Sequence, residues 1–229
     1  RLAAFYFAYF AYVGACTPYF PVYLAGRGLQ PAEVAAVLAM PQLARIFAPT
    51  FWGWLADRAD VRRAVVMVSC AALAAGFAAL PCAPGFRSIT LLVAATSILS
   101  AGGLPLVEAI TLSVLAGRSG HYGPIRLWGS IGFIVAVLLV GSWLDAHASA
   151  GLSWILLALT LAALVVSFML PRASGVSLPA ARGNDATAVR ASTSVRALIG
   201  AGFCMAAAHG ALYAFFTLHL QRLGYSGMS

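Results

Sequence analysis

Charge is scarce in this sequence, and lysine is absent altogether. Only 9% of the 229 residues are charged, whereas a soluble domain carries about 25%. Hydrophobic residues make up 62% of the chain. This balance excludes an ordinary soluble enzyme domain and predicts an integral membrane protein whose main partner is the lipid bilayer.

The basic residues are all arginine and give the chain a formal net charge of +8. Such an excess can indicate a nucleic-acid partner. Here the arginines are scattered between apolar runs rather than gathered into one patch, and membrane topology explains that placement better. The sequence therefore predicts no nucleic-acid partner.

Cysteine is also rare, and the motifs of several enzyme classes are missing. The four cysteines lie in or beside apolar segments without metal-ligand spacing, which predicts buried free thiols and no disulfide framework. They are Cys16, Cys70, Cys82 and Cys204. There is no GxxxxGK[ST] loop for ATP and no HExxH zinc motif. We therefore expect no catalytic residues, no metal and no other cofactor, and the protein is not expected to be an enzyme.

Seven apolar runs approach or exceed the roughly 20 residues that a helix needs to cross a bilayer. They cover residues 2–24, 34–55, 64–84, 89–116, 125–144, 152–170 and 195–220. The segment 171–194 is rich in Ala, Ser, Gly and Arg and is interpreted as a linker. The start at Arg1 lacks a signal-peptide n-region, so the first run is expected to be a true span.

These runs predict an all-α membrane protein in three parts. Residues 1–170 form a six-span bundle, 171–194 a cytoplasmic linker, and 195–229 a seventh span that opens a second, incomplete bundle. Proline and glycine interrupt two of the spans and are expected to bend or break them. The interrupting residues are Pro18, Pro21, Gly102, Gly103 and Pro105.

The arginines predict the orientation of the spans. Seven of them fall on one side, at positions 58, 62, 63, 118, 172, 182 and 190, and three on the other, at positions 27, 87 and 222. The positive-inside rule places the richer side, and with it the N-terminus, in the cytoplasm. On the opposite side, Gly28 predicts a turn, while Pro31 and Glu33 predict the start of span two.

An internal repeat relates the end of span one to the end of span seven. Phe, Leu and Gly recur at one offset between residues 20–30 and 216–226. Two six-span halves in parallel orientation would produce this match. The repeat predicts a protein of about twelve spans, of which this chain holds the first half and the seventh span.

A basic motif follows span two and carries a family resemblance. It consists of Gly53, Asp57, Arg58, Arg62 and Arg63. In composition and spacing it resembles the cytoplasmic signature of the major facilitator superfamily, in which the glycine permits close helix approach and the charged residues pair across a closing face. Asp60 departs from the family pattern, which usually has glycine there. The alternative interpretation is an ordinary positive-inside loop.

A closer resemblance extends over residues 5–226. Residues 9–24 resemble the first helix of the lactose permease group, and residues 104–109 and 122–130 resemble its fourth and fifth helices. Residues 122–132 and 209–226 are more similar to the phenylpropionate permease branch. The resemblance implies that Glu108 and Arg126 hold the solute, that Phe133 takes the place of a stacking Trp, and that His209 replaces an acidic residue.

Charged side chains within the spans need a reason, because each costs roughly 2.5–3.5 kcal/mol on insertion scales. We hypothesise that Arg45, Glu108 and Arg126 face one cavity, whose net positive charge would attract a carboxylate. Aromatic residues expected to line this cavity are Tyr12, Tyr19, Phe133 and Tyr213. The alternatives are a structural salt bridge, an Arg126 that reaches to the cytoplasmic surface, and a His209 that serves only as a hydrogen-bond partner.

The function expected from these features is secondary transport by alternating access, with protons as the coupling ion and an aromatic carboxylic acid such as 3-phenylpropionate as the solute. A sugar or nucleoside is the alternative solute. A transport-inactive sensor on the same fold is the alternative from another class. We expect a monomer in the bacterial inner membrane.

Overall fold

The computed structural model describes residues 1–115, 119–171, 195–197 and 200–207, and within them every regular element is helical. Seven α-helices follow one another: α1 Leu2–Gly26, α2 Pro31–Arg58, α3 Arg62–Ala79, α4 Gly85–Ser100, α5 Gly103–Leu115, α6 Tyr122–Ala146 and α7 Leu152–Ser167. Residues 195–197 and 200–207 are helical as well. The predicted all-α class is confirmed.

Five segments of the described residues are long and apolar enough to cross a membrane. They are Pro31–Arg58, Arg62–Cys82, Gly85–Leu115, Tyr122–Ala146 and Ser149–Ser167. Each coincides with a predicted span. Helix α1 is a continuous 25-residue helix where the first span was predicted, but its five tyrosines lower its hydropathy. The rest of the seventh predicted span and nearly all of the predicted linker lie outside the described residues.

Helix α1 packs against α6 and α7. Helix α3 packs on α4, α5 and α7, and α2 packs on α4. The buried side chains fall into two clusters. One includes Tyr23, Leu24, Phe77, Leu80, Ile89, Leu152 and Leu156, and the other includes Phe5, Tyr6, Val66, Cys70, Leu106, Ile110 and Leu170.

Glycines allow α1 and α6 to touch backbone to backbone. A Cβ on Gly132 would collide with the main chain of Phe7, and one on Gly14 would collide with the main chain of Phe133. A Cβ on Gly129 would come within 2.8 Å of the Phe10 ring. Small residues at such contacts are typical of membrane helix pairs, which gain stability from close packing rather than from the hydrophobic effect.

The predicted break in span four is confirmed between α4 and α5, at residues 101–102. The interrupted helix leaves carbonyl groups near the break without partners in the ladder. Trp52 Nε1 donates to the Ile98 carbonyl at 2.7 Å, and Ser69 Oγ donates to the Leu99 carbonyl at 3.4 Å. Side chains from α2 and α3 therefore satisfy the backbone that the break exposes.

The predicted entry into α2 is also confirmed. Gly28 has φ +83°, which glycine adopts without strain. Helix α2 begins at Pro31, and the Glu33 carboxylate accepts a hydrogen bond from the Gln30 backbone N–H at 2.8 Å. Beside this turn, the Arg27 guanidinium donates to the Tyr23 hydroxyl at 2.9 Å and to the Ala83 carbonyl at 2.8 Å. Arg27 thus ties the end of α1 to the turn before α4.

Replacing Gly132 with alanine is expected to destabilise the bundle, because the added methyl group would force α1 and α6 apart. Overpacking of this kind costs about 1–3 kcal/mol. Gly123→Ala on the same helix is the matched control, since a Cβ there would meet nothing within 4 Å. Thermal unfolding in detergent measures both. Equal midpoints for the two variants would contradict the close α1–α6 contact.

Candidate functional site

An ion pair joins Glu108 of α5 to Arg126 of α6. Arg126 Nη1 donates to Glu108 Oε1. The two residues are 18 positions apart in the sequence and lie on consecutive α-helices. The Arg126 side chain is 40% exposed and that of Glu108 is 34% exposed. The pair is therefore formed within the bundle yet is still accessible to a solute.

Arg126 also lies against two aromatic rings of α1. Its guanidinium carbon is 5.8 Å from the centre of the Tyr6 ring and 5.4 Å from the centre of the Phe10 ring. Both distances fit cation–π contacts. The sequence analysis missed these two residues, because α1 is rich in aromatics throughout and only the packing of α6 selects this pair. Their spacing of four residues, which places them on one helix face, was the available signal.

The guanidinium of Arg126 retains hydrogen-bonding capacity. A guanidinium has five N–H donors, and Glu108 is its one hydrogen-bond acceptor among the residues that the structure describes. The planar fork can therefore donate to a second group without leaving Glu108. A carboxylate suits this fork as a bidentate acceptor, and a sugar hydroxyl suits it as a single acceptor.

Arg45 does not join the ion pair. It lies on α2 with an exposed side chain, and its Nη1 donates to Gln42 Oε1 at 3.2 Å. The shared cavity for Arg45, Glu108 and Arg126 thus stays a prediction.

The aromatic residues expected to line the cavity divide into three groups. Phe133 is partly buried on α6, where its backbone meets Gly14 of α1. Tyr12 is partly buried and makes edge contacts with the rings of Tyr9 and Phe77. The prediction for Tyr19 is wrong, because this side chain is only 4% exposed and donates to the Val137 carbonyl at 2.9 Å. His209 and Tyr213 lie outside the described residues.

The residues of the signature motif make several separate contacts at the α2–α3 turn. Arg62 Nε lies 2.8 Å from Asp57 Oδ1. The Arg58 guanidinium stacks on Trp54 at 5.7 Å, and Arg63 donates to the carbonyl of Phe168 just after α7. The predicted pairing of aspartate and arginine therefore occurs within the turn itself.

Asp60 in this turn and Gly53 within α2 bear on the family pattern in different ways. Asp60 has φ +51°, so aspartate takes the left-handed conformation for which the family usually has glycine; aspartate is among the side chains that tolerate it best. Gly53 was expected to allow close helix approach. A Cβ at Gly53 would meet nothing within 4 Å in the described part of the chain, so no helix approaches it there.

The cysteines have free thiols, but only two follow the prediction of burial. Cys70 is buried and Cys16 is partly buried. Cys82 and Cys204 are exposed, so the prediction is wrong for them. Hydropathy marked both as neighbours of apolar runs, but it does not say which face of a helix or turn is covered. Within the described ranges no three His, Cys, Asp or Glu side chains gather as a metal site.

Among the described residues, the all-helical bundle with five membrane-length segments and an ion pair within them is that of an integral membrane protein. The chain belongs to the MFS_1 like family, whose profile matches residues 1–229. Its members are transporters of the major facilitator type and not enzymes. The expected family and fold are thereby confirmed.

The relatives differ in the solutes that their names give. The maltose permease of Geobacillus stearothermophilus is 31% identical over 224 residues, which are 96% of this chain and 56% of the relative. The probable 3-phenylpropionic acid transporter of Escherichia coli (strain K12) is 26% identical over 238 residues, which are 98% of this chain and 60% of the relative. The chain thus spans little more than half the length of these relatives.

A solved structure shares the fold. The crystal structure of the nucleoside transporter NupG superposes with a TM-score of 0.68 at 22% identity, over 74% of this chain and 43% of that chain. At this identity the likeness establishes the major facilitator fold and nothing about the solute.

The Glu108–Arg126 pair is expected to show measurable energetic coupling. In a double-mutant cycle with Glu108→Gln and Arg126→Gln, the coupling should be about 1–2 kcal/mol, because the pair is partly shielded from water. The Asp57–Arg62 pair serves as the control: Asp57 is 62% exposed, so about 0.2–1 kcal/mol is expected for Asp57→Asn with Arg62→Gln. Unfolding midpoints in detergent provide the free energies. Additive losses at Glu108 and Arg126 would contradict the ion pair.

Proposed function

We propose that this chain is part of a secondary active transporter that moves an aromatic carboxylic acid, such as 3-phenylpropionate, together with protons. The observation that carries the proposal is the half-exposed Arg126, which is paired with Glu108 on one side and keeps N–H donors for a second acceptor. Such a fork fits a carboxylate in two hydrogen bonds. The named solute of the Escherichia coli relative supports the same class.

The charge of the predicted cavity would suit an anionic solute. In that cavity Arg45, Glu108 and Arg126 would together carry one net positive charge, which a small anion would compensate. Tyr6 and Phe10 present aromatic rings beside Arg126. Phe10 and Phe133 are only partly buried and offer apolar surface for an aromatic ring of the solute. His209, as a further solute contact, belongs to the proposal through the family resemblance alone.

Transport would proceed by alternating access, in which two halves of the protein rock around a central site. We place the protein in the bacterial inner membrane as a monomer, with the N-terminus in the cytoplasm. The turn with Asp57, Arg58, Arg62 and Arg63 would then lie at the cytoplasmic face, where the Asp57–Arg62 pair stiffens the connection between α2 and α3.

A proton-coupled sugar symporter is the second candidate, and two observations favour it. Glu108 already neutralises Arg126, and a charge pair with spare donors and acceptors suits a neutral solute with many hydroxyl groups. The maltose permease of Geobacillus stearothermophilus is also 31% identical to this chain. A nucleoside would interact with the pair in a similar way.

Uptake by the whole transporter in proteoliposomes separates these candidates. With an inward proton gradient, we expect uptake of labelled 3-phenylpropionate and no uptake of labelled maltose or uridine. Arg126→Ala should reduce that uptake at least a hundredfold and Glu108→Gln at least tenfold, because the first removes the carboxylate's partner and the second leaves Arg126 unconstrained. Arg87→Ala, an exposed arginine outside the site, is the control.

Each outcome decides between the alternatives. Uptake of maltose or uridine alone would assign Glu108 and Arg126 to a neutral solute and contradict the carboxylate. Uptake of the acid without dependence on the proton gradient would contradict proton coupling. Wild-type uptake by the Arg126→Ala variant would exclude Arg126 from the site.

A further inference from the structure

Behind the Glu108–Arg126 pair, a buried hydrogen bond joins α1 to α5. The Tyr6 side chain has no exposed surface, and neither has Thr111. Their hydroxyl oxygens are 3.3 Å apart. Thr111 lies three residues after Glu108 on α5, so this bond forms on the same stretch of helix as the acidic partner of Arg126.

The direction of this hydrogen bond follows from the proton count. The Thr111 hydroxyl donates its single proton to the Val107 carbonyl at 2.8 Å, so it acts as the acceptor towards Tyr6. Tyr6 therefore donates to Thr111, and the chain of bonds ends on the backbone of α5. A buried phenol anchored at its oxygen keeps its χ1 rotamer, because rotation about χ1 would carry the oxygen away from Thr111. The ring plane can turn about χ2 without moving the oxygen, and its orientation is set by stacking on Phe10.

The fixed ring supports Arg126 directly. The Arg126 guanidinium carbon is 5.8 Å from the Tyr6 ring centre and 5.4 Å from that of Phe10. The two rings stack with their centres 6.4 Å apart, and Phe10 packs so closely on Gly129 of α6 that a Cβ there would come within 2.8 Å of the ring. An arginine side chain otherwise has much rotamer freedom to lose when it binds a ligand. Contact with the Tyr6 and Phe10 rings restricts the rotamers of Arg126 before a ligand binds, so less conformational entropy is lost on binding.

We infer that Tyr6 and Thr111 are positioning residues for Arg126: their hydrogen bond holds the Tyr6 ring, and the ring with Phe10 holds the guanidinium beside Glu108 with its remaining donors available. The consequence for transport rests on the proposed function, in which Arg126 contacts the solute. The structural alternative is that the bond serves only to hold α1 against α5.

The test uses the whole transporter with Tyr6→Phe, Thr111→Val and the double variant. Tyr6→Phe keeps the ring and removes only the hydroxyl. We expect the KM for labelled 3-phenylpropionate to rise roughly five- to tenfold in each single variant, with no further rise in the double variant, because both changes break one bond. The maximal rate should change less than twofold.

Tyr19→Phe is the matched control. Tyr19 is a buried tyrosine of the same helix, and its hydroxyl donates to a backbone carbonyl of α6 at 2.9 Å. This variant should lower the unfolding midpoint about as much as Tyr6→Phe while leaving KM within twofold of wild type. If Tyr6→Phe and Tyr19→Phe change KM equally, or if the double variant is additive, the positioning role is wrong.

A second readout does not depend on the solute. In a whole transporter with its native cysteines replaced by alanine, the thiol introduced by Glu108→Cys reacts with anionic and cationic methanethiosulfonate reagents. An Arg126 held beside position 108 should favour the anionic reagent, and Tyr6→Phe should reduce the ratio of the two rates about threefold or more, whereas Tyr19→Phe should not. An unchanged ratio would overturn the inference. Wild-type uptake by Arg126→Ala with a reduced ratio would instead overturn the proposed function and leave the positioning role intact.

Discussion

The backbone contact between α1 and α6 is the constraint on which the other features of the site depend. Inside a bilayer, two helices gain little from burying apolar side chains, since lipid is equally apolar. Stability must come from close van der Waals packing, and Gly14, Gly129 and Gly132 permit it. With α6 in this position, the first turns of that helix carry Arg126 to the rings of α1. A wider separation would leave the cation facing lipid or water alone.

The surroundings of Arg126 also offset the free-energy cost of a charge within the spans. An unpaired charge there is expensive, and an uncompensated partner is more destabilising than the pair is stabilising. Glu108 supplies the opposite charge, and Tyr6 and Phe10 supply the negative faces of two rings. The half-exposed pair keeps enough contact with solvent to avoid full desolvation. The same surroundings that make the charge tolerable thus make it available to a solute.

Much of the fold was predictable from the sequence, because crossing a bilayer places strict demands on length and polarity. The apolar runs gave the helices, and Gly102 with Pro105 gave the break between α4 and α5. What closes that break was not predictable: Trp52 and Ser69 are distant in sequence and meet Ile98 and Leu99 only after α2 and α3 have packed. The predicted exposure of Tyr19 and the predicted burial of Cys82 were wrong for a related reason, since hydropathy does not show which side of a helix or turn is covered.

The candidate site also combines features that are local to the sequence with features that depend on tertiary packing. The sequence by itself determined that Glu108, Arg126 and Arg45 are charges in apolar segments, because composition and span length are local properties of the chain. The turn geometry at Asp60 and the cap at Glu33 are local in the same sense. Only the tertiary structure decided that Glu108 contacts Arg126 and that Tyr6 and Phe10 support the guanidinium. Those choices depend on how closely separate helices approach, and the fit of glycines against a neighbouring backbone sets that distance.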